Sequence, residues 1–178
     1  MFNFKALALA TLATVATIAP ATAGYIAEDG TPLMDTKDFP ATHAELVKTI
    51  NKAGVPIVDG GKMKLEQCLD TSEGYLMGFY TPVHNVMVLC TNNGDAVSQA
   101  QTLTHEAMHL VQDAGHGLDN HDCETIGDWK ALVPSLSDKH LGEIEQYYTK
   151  DQWGTEVEAR TFENDPNRVA ALVNKFVF

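Results

Sequence analysis

Two histidines and a glutamate stand close together in the segment "THEAMHLVQDAGHG", residues 104–117. His105 and His109 are four residues apart, so on a helix they lie one turn above each other and both imidazoles can reach one metal ion. Glu106 follows the first histidine, where its carboxylate can hold and deprotonate a water molecule at that metal. The pattern H-E-x-x-H therefore predicts one Zn²⁺ on His105 and His109, with Glu106 as general base.

A catalytic zinc site usually has three protein ligands and one open position, so a third ligand is needed. Glutamates that could supply it lie downstream in "WGTEVEARTFEND", residues 153–165. With H-E-x-x-H, this segment resembles the gluzincin group of zinc metallopeptidases, whose third ligand is a glutamate on a later helix, in a pattern E-x-x-A-D or E-x-x-x-D. The resemblance implies Glu156 as that ligand. Ala159, on the same face, would let this helix approach the zinc helix closely.

Glu158 is the rival third ligand. However, T-x-x-E at residues 155–158 is typical of a capping box, in which Glu158 would bind the amide of Thr155. We therefore expect Glu156 to bind the metal and Glu158 to cap the helix. The sequence departs from the gluzincin pattern at Arg160, which stands where an aspartate often orients a zinc histidine. That histidine would need another partner, such as Asp113 or a backbone carbonyl.

The remaining histidines nearby are expected to lie outside the metal site. The metzincin pattern places a glycine three residues after its second histidine and a third histidine six residues after it. This chain has Gln112 and Gly115 at those places, and His116 comes one residue late. His116, His121 and His140 are therefore interpreted as loop or surface residues.

Hydrolysis of a carbonyl also needs a donor for the oxyanion that forms on it. Gluzincin-like enzymes often use a tyrosine or histidine from a downstream helix, so the resemblance makes Tyr147, Tyr148 and His140 candidates. The alternative for the two tyrosines is that they pack against the core.

The zinc motif needs a rigid helix, and the pattern over residues 96–113 predicts one, with Asp95 as N-cap and Gly115 as its end. The runs "KMKLEQC", "GYLMGFY" and "HNVMVLC" precede it and are typical of strands, the last two of a hairpin. Further helices are predicted over residues 40–52, 124–133, 137–150, 155–164 and 167–178. This order predicts an α+β fold. The resemblance implies a minimal zincin-like version, with a small antiparallel sheet on the zinc helix and additional C-terminal helices.

The first 23 residues have the features of a secretory signal. Lys5 precedes an apolar run, and Ala21-Thr22-Ala23 is a small-x-small cleavage pattern. The alternative is a membrane anchor, for which this alanine- and threonine-rich run is short. We therefore expect a signal peptide at residues 1–23 and a single domain at residues 24–178. The mature protein would be secreted or periplasmic, with no stable membrane association.

The net charge and the cysteine count limit which partners the protein could bind and indicate the compartment in which it folds. The formal net charge of −12 argues against nucleic acid and anionic lipid, which are bound by basic patches. The chain has three cysteines, so an oxidising compartment permits one disulfide. Cys68 and Cys90, near the ends of strand-like runs, are the favoured pair, and Cys123 remains.

Together these features predict an exported zinc-dependent hydrolase, most simply a metallopeptidase that acts on a peptide or protein substrate lying along an edge strand. Two alternatives stay open. One is a zinc-binding module of peptidase-like fold without turnover, and the other is a metal-free, disulfide-stabilised extracellular binding domain.

Overall fold

The computed structural model describes residues 30–69, 75–116 and 129–178. The predicted signal peptide, His121 and Cys123 lie outside the described residues. The described part combines a three-stranded sheet with several helices, so the α+β prediction is confirmed. Within it, no helix is both long and apolar enough to cross a membrane.

The described residues include six α-helices: α1 (Ala44–Lys52), α2 (Gly60–Met63), α3 (Ala96–His116), α4 (Asp138–Tyr147), α5 (Trp153–Phe162) and α6 (Pro166–Phe176). Five of them correspond to predicted helices, although α3 continues three residues past its predicted end and α5 begins two residues early. The helix predicted over residues 124–133 is not formed in its described part. Short 3-10 turns occur there instead, at Trp129–Ala131 and Val133–Ser135.

The sheet has three short strands: β1 (Ile57–Asp59), β2 (Gly78–Thr81) and β3 (Val86–Leu89). Its order is β1-β3-β2, so β3 is central and β2 forms one edge. Strands β2 and β3 are antiparallel and form the predicted hairpin, with Asn85 in the left-handed conformation in its turn. Strand β1 runs parallel to β3, with Val58 opposite Val88.

The prediction of a wholly antiparallel sheet is therefore wrong, and the cause lies in "KMKLEQC". Asp59 accepts a hydrogen bond from the Lys62 N–H and caps α2, and a 3-10 turn at Glu66–Cys68 follows. Such a cap stabilises a helical turn over an extended chain. The third strand is β1 instead, and because α2 and β2 intervene, β1 can enter the sheet parallel to β3.

Helix α3 is the central element of the fold. Its N-terminus is capped as predicted, because Asp95 accepts a hydrogen bond from the Ser98 N–H. It packs against β2 and β3 and also against α5 and α6. Leu103, Met108 and Val111 are fully buried at these contacts. Burial of each such side chain contributes about 1.5–3 kcal/mol, so α3 is a firm base for the histidines that it carries.

The predicted disulfide between Cys68 and Cys90 is present. It joins the 3-10 turn after α2 to the end of β3, just before the loop that leads into α3. Gly60 packs so closely beneath it that a Cβ atom there would lie 2.7 Å from the Cys68 sulfur. A side chain at this position would force the disulfide or its neighbours to shift.

Candidate metal centre

Helices α3 and α5 bring His105, His109 and Glu156 into one cluster. One side-chain donor atom from each residue lies within 4.8 Å of the others, and the group could bind a metal ion. The His105 Nε2 atom is 3.4 Å from Glu156 Oε2, and the His109 Nε2 atom is 3.4 Å from Glu156 Oε1. The two imidazole rings are 4.9 Å apart and nearly perpendicular.

The spacing and chemistry of these donors fit zinc. Two donors that are each about 2.1 Å from a tetrahedral Zn²⁺ lie about 3.4 Å apart, and each histidine Nε2 atom is at that distance from one Glu156 oxygen, Oε2 for His105 and Oε1 for His109. Glu156 Oε2 is also buried, and apart from the long 3.4 Å contact with His105 Nε2 it has no hydrogen-bond partner among the described residues. Leaving such an atom unsatisfied is costly, and a bound cation would remove that cost.

A carboxylate binds His105 through the ring nitrogen that faces away from Glu156. Its Nδ1 atom is 3.2 Å from Glu163 Oε2, at the C-terminal end of α5. Glu163 also accepts hydrogen bonds from Gln101 at 2.8 Å and from Arg160 at 3.4 Å. With Nδ1 engaged, the Nε2 atom of His105 faces Glu156. This is the arrangement by which a second partner fixes a zinc histidine.

His109 is held by a neutral amide. Its Nδ1 atom is 2.8 Å from Gln112 Oε1. The Gln112 amide nitrogen donates to the Thr155 carbonyl at 3.0 Å and to Glu158 Oε2 at 2.9 Å. Gln112 and Glu158 are both almost completely buried. Through this chain of hydrogen bonds, α5 contacts the second histidine as well as the first.

Glu106 lies beside the cluster and against the edge strand. Its Oε2 atom accepts a hydrogen bond from the Tyr80 backbone N–H at 2.9 Å. Tyr80 stands opposite Met87, whose own N–H donates to Pro56, so the Tyr80 N–H points away from β3. One carboxylate oxygen of Glu106 is thus fixed by the backbone of the edge strand.

The charges in the cluster favour a cation. Burial opposes the charged form of His105, but Glu156, Glu163 and Glu106 outweigh burial and raise its pKa to about 10. Burial likewise opposes the charge of Glu156, yet His109, His105 and Arg160 lower its pKa. In the metal-free chain a protonated imidazole therefore stands among carboxylates, which is the place that a divalent cation would take.

Tyr148, one of the oxyanion candidates, faces the cluster. The negative charge of Glu156, together with burial, raises the pKa of its phenol well above the ordinary value, so the hydroxyl keeps its proton. Tyr147 is exposed over about two-fifths of its surface (41%). His140 Nε2 is 3.9 Å from Glu163 Oε1, so it lies behind His105, outside the group that could bind a metal.

Three details differ from the expectations. The predicted capping box does not form, because α5 begins at Trp153 and Thr155 is already inside the helix. Glu158 binds Gln112. The partner of His105 is Glu163, whereas Asp113 accepts a hydrogen bond from the Tyr80 hydroxyl at 3.0 Å. The backbone of His116 forms the last residue of α3 rather than a loop.

Sequence reasoning did not assign Glu163 or Gln112 to the site, although the signals were present. Glu163 follows Glu156 by seven residues, two helical turns, and shares its face. Gln112 follows His109 by three residues, a spacing at which side chains on a helix contact each other. Neither position is part of the H-E-x-x-H or E-x-x-x-D patterns, so a search for these motifs does not identify either residue.

Comparison with known proteins adds a family but no activity. Residues 35–178 match the model of a family described as "Domain of unknown function (DUF8637)", and this match includes every residue of the cluster. No curated protein and no solved structure matches the chain significantly.

Proposed function

The chain belongs to the DUF8637 family, and we propose that it is an exported zinc-dependent hydrolase of zincin-like build, most simply a metallopeptidase. The observation that carries this proposal is the convergence of His105, His109 and Glu156. The last of these is 47 residues beyond the second histidine, on a separate helix. Two imidazoles and one carboxylate form a donor set common in zinc peptidases, and three protein ligands leave a fourth position open.

The residues around the cluster supply the remaining parts of a hydrolytic site. When bound, zinc would act as a Lewis acid that polarises the substrate carbonyl and lowers the pKa of the attacking water. Glu106 would take a proton from the attacking water as the water oxygen bonds to the carbonyl carbon. As the carbon–nitrogen bond breaks, Glu106 would pass that proton to the leaving amine. Only one oxygen of Glu106 accepts the hydrogen bond from Tyr80, so the other oxygen is left for this proton transfer.

Tyr148 is suited to stabilise the oxyanion. Its raised pKa keeps the hydroxyl protonated at neutral pH, so it can donate a hydrogen bond to developing negative charge. The same carboxylate that raises this pKa, Glu156, is the proposed third ligand.

An extended peptide is the substrate class that the sheet favours. Strand β2 is an edge of the sheet, and Glu106 already occupies the outward N–H of Tyr80, so a peptide would pair with the other outward backbone groups of β2. A peptide that pairs with an edge strand gains backbone hydrogen bonds and is held in an extended form. Pairing along β2 would bring a scissile bond close to the base.

Export is supported by two features. The first 23 residues have the order of a secretory signal, and the Cys68–Cys90 disulfide is typical of proteins in oxidising compartments. We therefore propose a secreted or periplasmic location.

The function is tested by comparing wild type with Glu106→Gln for zinc content and for cleavage of casein and a peptide library. We expect near-stoichiometric zinc in both proteins. We also expect a loss of turnover of about 10²–10⁴-fold in the variant, the usual contribution of a general base. Glu145→Gln, at an exposed position on α4, is the matched control and should behave as wild type.

Two results would contradict the proposal. Wild-type protein that takes up no zinc would favour the metal-free binding domain. Equal or absent turnover in wild type and Glu106→Gln, with zinc retained in both, would favour a zinc-binding module without catalysis. Replacement of the proposed ligand, Glu156→Gln, should by contrast remove zinc.

A further inference from the structure

We propose that Gln112 is a positioning residue that, with Glu158, fixes the tautomer of His109 so that its Nε2 atom is available to the metal. The inference rests on the metal site of the proposed function, but not on turnover. It gives a role to two buried residues that neither the H-E-x-x-H motif nor the third-ligand pattern explains.

The direction of the Gln112 amide is determined by its neighbours. Its nitrogen lies 3.0 Å from the Thr155 carbonyl and 2.9 Å from Glu158 Oε2. The Thr155 carbonyl can only accept a hydrogen bond, so the NH₂ group must face it and Glu158. The amide oxygen is thereby turned toward His109, where it can only accept.

The direction of the Gln112 amide determines which nitrogen of His109 carries the proton. Because Gln112 Oε1 is 2.8 Å from His109 Nδ1, the proton of a neutral His109 must be on Nδ1. The lone pair is then on Nε2, the atom that faces Glu156 at 3.4 Å. Without this partner, a neutral imidazole would be free to carry its proton on Nε2 instead, where it blocks metal binding.

The same contacts explain why Glu158 is a poor candidate for the third ligand. Its Oε2 atom is used by Gln112, and the residue is almost completely buried. Glu156, Thr155 and Glu158 all belong to the first two turns of α5. One helix therefore supplies both the proposed third ligand and the groups that orient the second histidine.

The test compares Gln112→Met with Gln99→Met. Gln99 is also buried on α3, and its amide donates to the Cys90 carbonyl rather than to a partner of a metal-site histidine. The first readout is zinc affinity by competition with a chelator. We expect Gln112→Met to bind zinc about 10–100-fold more weakly, the usual effect of removing such a partner, and Gln99→Met to match wild type.

The second readout is the tautomer of His109 in the metal-free chain, measured from its imidazole ¹⁵N shifts at a pH where it is neutral. We expect the proton on Nδ1 in wild type and a shift toward Nε2 in Gln112→Met. A wild-type proton on Nε2 would overturn the inference. Equal loss of zinc affinity in Gln112→Met and Gln99→Met would also overturn it, because a general packing defect would then account for the loss.

Glu158 provides a second pair of variants should Gln112→Met fail to fold. Glu158→Gln keeps an acceptor oxygen for Gln112 and should retain zinc affinity within about threefold, well short of the 10–100-fold effect expected when a partner is removed. Glu158→Met removes the acceptor and should weaken zinc binding. If both lose zinc completely, Glu158 is itself the ligand and the inference is wrong. If wild type binds no zinc, the proposed function fails, while the tautomer of the metal-free chain still decides this inference.

Discussion

The side chains around His105 and His109 divide into those that could touch a metal and those that hold the ligands in place. Glu156 belongs to the first group, and Glu163 and Gln112 belong to the second. The departure of Arg160 from the gluzincin pattern is compensated locally. The carboxylate that faces His105 comes from Glu163, and Arg160 binds that carboxylate. Glu163, seven residues after the proposed ligand Glu156, thus faces His105 where the gluzincin pattern would have an aspartate four residues after the ligand.

At this scale we predict that Glu163→Ala weakens zinc binding about 10–100-fold, because His105 loses the carboxylate that orients it. Chelator competition measures the change. Glu143→Ala is the matched control, since Glu143 also pairs with Arg160, at 3.5 Å, but lies outside the metal cluster. Similar losses in both variants would mean that Arg160, rather than the orientation of His105, is the sensitive group.

His105 also makes the metal-free chain sensitive to pH. Its folded-state pKa of about 10 lies above the ordinary value of 6.5, so between these values the folded chain binds more protons than the unfolded chain. The stabilisation is fully present below about pH 6.5 and is lost as the pH rises toward 10. We expect the free energy of unfolding in chelator to fall across this range. His105→Asn should flatten the slope, and an unchanged slope would contradict the assignment.

Helix α5 is the element that completes the site. It carries Glu156 and supplies partners to both histidines, so its distance from α3 controls the whole cluster. Ala159, fully buried in the core, is the small residue on its inner face. The pattern of apolar residues predicted α1, α3, α4 and α6 at the right places in the chain. It failed at residues 62–68, where the side chain of Asp59 favours a helical turn.

We predict that Ala159→Leu lowers the free energy of unfolding by about 1–3 kcal/mol, because added atoms in a filled contact force α5 away from α3. Zinc affinity should fall as well, since the ligand and the histidines move apart. Urea denaturation and chelator competition give the two values. Ala171→Leu, at an exposed position on α6, should change neither. Normal zinc binding by Ala159→Leu would show that the helix spacing is not critical.

At the level of the whole fold, the disulfide links the turn after α2 to the end of β3, just before the loop that leads into α3. Cys68 and Cys90 are separated by 22 residues and are both buried. The bond closes a loop that contains β2 and β3, the strands that pack against α3. Its loss would act mainly by giving the unfolded chain more freedom.

We predict that replacing both cysteines with alanine lowers the free energy of unfolding by about 3 kcal/mol, the loop-closure value for this separation. Urea denaturation of the zinc-free protein measures it. Cys123→Ala is the control and should have little effect. If Cys123→Ala costs as much as the double variant, cysteine replacement rather than the disulfide is responsible.

The local features of this protein follow from short stretches of its sequence. Helical periodicity defined α3, and the four-residue spacing set His105 above His109 on one face. Turn residues between apolar runs indicated the β2–β3 hairpin. The prediction of Glu156 as third ligand came from its likeness to a known pattern, and the structure brings that residue beside the histidines.

Which distant groups meet depends on the packing of the folded chain. The direction of β1, the roles of Glu158 and Glu163, and the contact of Glu106 with Tyr80 all depend on how separate elements pack. Local patterns arise from the periodicity of one helix or strand. Contacts between α3, α5 and the sheet arise from the burial of apolar faces, whose relative placement no single segment encodes.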